Sequence, residues 1–180
     1  MRKNRGFTLI ELLVVISIIS LLSSISLASF QDARVKANNT YTTETIRQYL
    51  TAFELVRSND GQYPSTASIP GEHVCLGAVN CYLDSSGNPS SPPIAERDIG
   101  IDAKFLPYLP GLPNVNKKPL FIHGWYRQAI DYTYNPNNLP PNNKPVLWWT
   151  MEGLVSSCPF GTFTELPTPG QGTACWITIN

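Results

Sequence analysis

Between Phe7 and Asp60 the 180-residue sequence contains neither a proline nor a glycine. Elsewhere both are abundant, 16 Pro and 12 Gly in all, and after Gly61 they punctuate almost every stretch. Both residues break helices. Their absence therefore excludes a turn anywhere in that first third, and their return marks a loop-rich, turn-rich remainder. Charge is scarce as well, at 14% of residues, where about a quarter is usual. The formal net charge is zero, which excludes the basic footprint of a nucleic-acid-binding domain. That zero hides an asymmetry: Arg2, Lys3 and Arg5 crowd the amino terminus, and without them ten basic residues face thirteen acidic ones. Motifs that carry chemistry are missing too. There is no H-E-x-x-H, no G-x-S-x-G and no phosphate-cradling glycine loop. The two histidines, His73 and His123, lie in no ligand-spaced pattern and read as loop or surface residues. No catalytic constellation is visible, and the sequence points away from an enzyme.

What is present at the amino terminus is a span, Phe7 to Phe30, that is almost wholly apolar, with Glu11 its only formal charge. As a helix it would extend roughly 36 Å, enough to cross a hydrocarbon core. Basic residues just before it predict a cytoplasmic amino terminus and an outside location for the rest. Three readings compete. A removable signal peptide accounts for Ser26-Leu27-Ala28, which has the small-x-small form of a cleavage site. The apolar run before it, however, exceeds the usual 7–15 or so residues, and a carboxylate near its start is out of place. A plain signal anchor explains the length but gives no reason for Glu11, since an acidic residue within a span costs about 2.5–3.5 kcal/mol on insertion scales. The third reading explains both: Gly6-Phe7-Thr8-Leu9-Ile10-Glu11-Leu12, behind a short basic leader, resembles the precursor leader of type IV pilins and type II secretion pseudopilins.

That resemblance implies cleavage between Gly6 and Phe7 by a prepilin peptidase and N-methylation of Phe7. It makes Glu11 the fifth mature residue, which the family fills with glutamate. A buried carboxylate needs a partner, and the cationic amine of a neighbouring subunit would supply one and set axial register. The implied partners are identical or related pilin subunits, the peptidase, an inner-membrane assembly platform and, before assembly, the membrane itself. The implied location is the cytoplasmic membrane as a single-pass precursor with its head outside, then an extracellular or periplasmic filament. Many family members carry glycine and proline at the fourteenth and twenty-second mature positions, where this chain has Ser20 and Ala28. A straighter helix is therefore expected. Ser17, Ser20, Ser24 and Ala28 recur at spacings that share one helical face. They are candidates for close helix packing, the competing reading being serines that bond back to their own helix.

Beyond Phe30 polar residues enter, and Ile46, Tyr49, Leu50, Phe53, Leu55 and Val56 concentrate on one side in a helical pattern. One helix of about 50 residues is expected, ended by the turn chemistry of Ser58-Asn59-Asp60-Gly61-Gln62-Tyr63-Pro64. The phrase from Leu55 to Pro64 resembles the helix end of major pseudopilins, and Phe105-Leu106-Pro107-Tyr108-Leu109 with Leu112-Pro113 resembles their short helix and turn. Strands are expected over Trp125–Tyr134, Pro145–Met151 and Ala174–Ile179. The fold class is α+β: a long amino-terminal helix packed on a small antiparallel sheet. The segments are a leader (1–6), a transmembrane or filament-core half-helix (7–30), an amphipathic half (31–60) and a loop-rich head (61–180).

Cys75, Cys81, Cys158 and Cys175 all follow the predicted span, on its oxidising side. Four cysteines allow three pairings. Cys75–Cys81 and Cys158–Cys175 are favoured because each is local and closes a Pro/Gly-rich loop, and the second resembles the carboxy-terminal disulfide loop of many type IV pilins. A tetrathiolate zinc site is the main alternative, though no C-x-x-C pair is present. No cofactor is expected. Asp98 and Asp102 would help bind calcium, as acidic loops do in some pseudopilins, but a solvated capping role is the stronger reading. Trp148 and Trp149 point to opposite faces of a strand; sheet packing is the stronger reading, and a subunit or ligand contact by the outward one is the alternative. The sequence thus favours a structural filament subunit. The alternative is a minor or tip subunit whose head binds DNA, surfaces or an exported protein.

Overall fold

The computed structural model describes residues 6–67, 73–77, 82–83, 96–113, 120–122, 125–127, 130–134, 144–153, 155, 157–163 and 172–180, with residues 28, 82–83, 96, 120–122, 125–127 and 163 described at the backbone alone. Helix α1 runs from Leu9 to Asp60, 52 residues, as the missing breakers require. The chain divides into two compact units, the second beginning at Asn38, and α1 contributes to both. In the first unit its apolar side chains, from Leu9 to Phe30, are exposed. In the second unit one face is buried: Thr42, Thr45, Ile46, Tyr49, Ala52, Phe53 and Val56 return every three or four residues, the stripe of a helix laid on a core. Gly61 closes the helix. Its φ of 77° is left-handed, and its N–H bonds to Arg57 O at 2.9 Å, which is why glycine stands there.

The remaining elements are β1 (His73–Leu76), β2 (Tyr82–Leu83), β3 (Glu96–Arg97), α2 (Ile99–Phe105), β4 (Leu120–Ile122), β5 (Trp125–Arg127), β6 (Ile130–Thr133), β7 (Val146–Met151), β8 (Thr162–Phe163) and β9 (Thr173–Thr178). One sheet has the order β3-β1-β6-β7-β9-β8, the other β2-β5-β4. Of the four central strands β1, β6, β7 and β9, each runs antiparallel to its neighbour. The small antiparallel sheet is therefore present, with β3 added parallel to β1 at one edge. The expected strand over Trp125–Tyr134 is divided. Its first half pairs with β2 and β4, and its second half with β1 and β7. Each half takes partners on both of its edges, and those partners belong to different sheets.

Side chains alternate across the large sheet. Val74, Leu76, Ile130, Tyr132, Leu147, Trp149, Met151 and Cys175 join α1 in one core cluster. Phe53 lies at its centre, 4.7 Å from the ring of Tyr132 and 4.7 Å from that of Phe105, so it joins helix, sheet and α2. Truncating a buried phenylalanine removes transfer energy and leaves a cavity, typically about 3–5 kcal/mol together. Phe53→Ala is expected to lower the unfolding free energy by that amount in urea denaturation followed by tryptophan fluorescence. A loss below about 1 kcal/mol, the scale of an ordinary surface change, would mean that the helix is not seated on the sheet as described.

Candidate functional site

Gly6, Phe7 and Thr8 precede α1 outside regular secondary structure and are exposed. A Cβ added at Gly6 would meet nothing within 4 Å, so the folded chain itself gives no reason for glycine there. Thr8 begins the helix. Its carbonyl accepts from Leu12 N at 3.3 Å, and its hydroxyl accepts from Glu11 N at 3.3 Å. Glu11 returns the contact: Oε2 accepts from Thr8 N at 2.9 Å and from the Thr8 hydroxyl at 2.7 Å. This is a capping box, which satisfies helix-start amides that would otherwise be orphaned. Thr8 was missed as a site residue, although a Thr-x-x-Glu pattern opening an apolar run is its sequence signature. Glu11 Oε1 takes no hydrogen bond among the described residues.

Ser17, Ser20 and Ser24 are exposed, and each hydroxyl donates to its own helix, to Leu13 O, Ile16 O and Leu21 O, all at 2.8 Å. Ser26 does the same with Leu22 O at 3.0 Å. The hydroxyls are thus satisfied locally, and what they present outward is small size. The surrounding stretch of α1 is long and apolar enough to cross a membrane, and none of it is buried within the chain. Exposed apolar surface on that scale marks an interaction surface.

In the second unit Cys158 and Cys175 are bonded, with Cα atoms 5.8 Å apart and a sequence separation of 17. Cys75 is also disulfide-bonded, while Cys81, its expected partner, lies outside the described residues. A tetrathiolate site is excluded by the Cys158–Cys175 bond. Asp98 caps α2, its Oδ1 accepting from Ile101 N at 2.9 Å. Asp102 departs from the solvated role expected of it. It is 1% exposed, accepts from Gly77 N at 3.2 Å and pairs with Arg97 Nε at 2.7 Å. A carboxylate already paired with a guanidinium and a backbone N–H is a poor calcium ligand. Among the described residues no group of three or more His, Cys, Asp or Glu is placed to hold a metal.

His73 is not a loop residue. It lies on β1 with Nδ1 3.0 Å from Oδ2 of the buried Asp131. His123 lies outside the described residues. Trp149 is buried in the core, whereas Trp148, on the other face, is half-buried and stacked on Trp176 at 5.7 Å. An open cleft of about 470 Å³ is lined by Arg57, Tyr63, Tyr134, Lys144 and Asn180. In it Tyr63 Oη lies 2.9 Å from Glu54 Oε1 and 3.0 Å from Asn180 O, and Arg57 donates to both Tyr63 Oη and Asn180 O at 3.1 Å. Burial pushes the phenols of Tyr49 and Tyr132 well above their usual range. They stay neutral, and Tyr132 donates to Pro64 O at 2.7 Å. Lys104 holds the Asp60 carboxyl below its usual value through a bond of 2.6 Å.

Residues 1–27 match the family described as the prokaryotic N-terminal methylation motif. The amino terminus is type IV pilin-like. The chain is similar to prepilin peptidase-dependent protein D of Escherichia coli, 48% identical over 61 residues, or 34% of this chain and 42% of that protein. It is similar to the type IV wide pilus major component of Thermus thermophilus, 37% identical over 65 residues, or 36% of this chain and 50% of that protein. Against type II secretion system core protein G of Klebsiella pneumoniae the identity is 24% over 151 residues, 84% of this chain and 98% of that one. The chain thus spans about half the length, or less, of the first two relatives. No solved structure matches.

The Cys158–Cys175 bond closes a loop whose entropy, on the chain-closure model, is worth about 3 kcal/mol. The double variant Cys158→Ser/Cys175→Ser is expected to unfold at lower urea with a loss near that size. An unchanged urea midpoint would show that the bond adds nothing to the stability of this unit.

Proposed function

We propose that this chain is a structural subunit of a type IV pilus or a type II secretion pseudopilus-like filament. The observation that carries the reading is the methylation motif over residues 1–27, joined to an apolar stretch of α1 that the chain leaves unburied. In this reading residues 1–6 are a leader, cut after Gly6, and Phe7 is methylated on its new amine. The open space around Gly6 supports recognition by an outside reader, a prepilin peptidase, as the reason for glycine. Residues 7–30 hold the precursor in the cytoplasmic membrane and then form the filament core. Residues 31–60 form the spine of the head, and 61–180 complete it outside.

Glu11 then has two roles. Its Oε2 caps its own helix through Thr8, and its other oxygen is left for the amine of a neighbouring subunit. Charge meeting charge in an apolar core permits one axial offset and disfavours others. The serines at 17, 20 and 24, with Ala28, let neighbouring helices approach closely. The partners are copies of this chain or related pilin-like subunits, together with the peptidase and a membrane assembly platform. A head that binds DNA, a surface or an exported protein is the second reading, and the basic and aromatic cleft at Arg57 and Lys144 is what favours it.

The mature amino terminus, read by mass spectrometry from cells, is expected to be methylated Phe7. Gly6→Val should leave uncut precursor in the membrane fraction; normal processing of that variant would sink the peptidase reading. Glu11→Gln keeps an acceptor for Thr8 and removes the charge. It should leave membrane insertion intact and strip assembly, because an uncompensated buried amine costs about 3–5 kcal/mol per subunit. Filaments at wild-type yield from Glu11→Gln would rule out the charge pair.

A further inference from the structure

Six consecutive residues of α1, Asn38-Asn39-Thr40-Tyr41-Thr42-Thr43, come from the poor end of the helix-propensity ranking. Asn and Thr side chains offer the backbone alternative hydrogen bonds, and Thr and Tyr lose rotamer freedom against the preceding turn. After Phe30, every other six-residue window of α1 contains an Ala, Leu, Arg, Lys, Gln or Glu. This window contains none, yet it is helical throughout. The helix's own resources do not explain that. The Thr42 and Thr43 hydroxyls donate to Asn38 O and Asn39 O at 3.0 and 2.8 Å, a back-bonding pattern that slightly weakens and bends a helix.

Support comes instead from a residue far along the chain. The Asn39 side-chain amide donates to Glu152 O at 2.9 Å, and its Oδ1 accepts from Glu152 N at 2.8 Å. One side chain thereby satisfies both backbone groups of the residue that follows β7, as a neighbouring strand would. Asn38 adds a bond from Nδ2 to Glu152 Oε1 at 2.9 Å. The weak window opens at Asn38, the first residue of the second compact unit. Its first large, fully buried aliphatic anchor, Ile46, comes two turns later.

We propose that residues 38–43 are a conditional stretch of helix, latched by Asn39 onto the backbone of Glu152 and free to unwind when that latch opens. The segment is then a hinge in a helix that has no Pro or Gly to make one. The proposal concerns the chain by itself and stands whether or not the chain polymerises.

The test is amide hydrogen exchange on the full-length chain in detergent micelles. Asn39→Val, which removes the hydrogen bonds at nearly unchanged helix propensity, should speed exchange of the amides of residues 40–46 by about tenfold or more, while those of β7 and β9 keep wild-type protection. Glu152→Ala retains the backbone groups that Asn39 reads and should leave residues 40–46 slow. Adding Thr43→Ala to Asn39→Val, which raises helix propensity within the window, should restore part of the protection. Unchanged exchange at 40–46 in Asn39→Val would overturn the latch. Equal acceleration across the sheet would overturn it too, because Asn39 would then support the unit as a whole. Glu152→Ala behaving like Asn39→Val would assign the effect to the Asn38 contact and overturn the role given to Asn39. Near-ultraviolet circular dichroism of each variant reports whether the tryptophan-containing core has formed.

Discussion

The seating of one face of α1 on the four central strands is the contact on which the second unit depends. The only other helix, among the described residues, is the seven-residue α2, too short to cover a sheet. The apolar residues of β1, β6, β7 and β9 that face inward must therefore find their cover on α1. Phe53 is where the layers converge, touching Tyr132 on the sheet and Phe105 on α2. Residues at the margins respond to that seating. Asp102 is buried because α2 is pressed onto the core through Ile101 and Phe105, and once buried it needs Arg97 and the Gly77 amide to be tolerable. Polar satisfaction here follows from apolar packing, and not the other way round.

What could be read from the sequence was what is local. The absence of Pro and Gly sets the length of α1, and Gly61 ends it through a backbone conformation that glycine adopts without strain. β7 and β9 were legible because both are short runs rich in β-branched and aromatic residues. The back-bonding of Ser17, Ser20 and Ser24 was legible as an alternative because its partners lie three or four residues away. The failures are of one kind: they depend on residues distant in sequence. The strand over Trp125–Tyr134 breaks between two sheets because its halves find different neighbours. The burial of Asp102 and the Asp131 partner of His73 went unread because both are tertiary facts. Thr8 is the exception, a local signal overlooked because the adjoining glutamate offered a stronger one.

In the filament reading Glu11 satisfies two demands at different times. A carboxylate at the start of an apolar helix is costly alone, and the capping box with Thr8 offsets part of that cost within a single chain. The hydrogen bonds to Thr8 use one of its oxygens. In the filament reading, a precursor waiting in the membrane is thus not left with a bare charge. The interaction that drives assembly then adds to one already made, without having to break it.

The bond between Cys158 and Cys175 has a consequence under tension. In the filament reading, load passes from subunit to subunit, and a sheet stressed at its last strand would peel from that end. The disulfide joins β9 to a point 17 residues upstream, so the intervening chain, about 55–60 Å if fully extended, stays outside the line of force. The end of the head can loosen without lengthening by that amount. In mechanical terms the loop is hidden contour, locked away so that a strained subunit stays short.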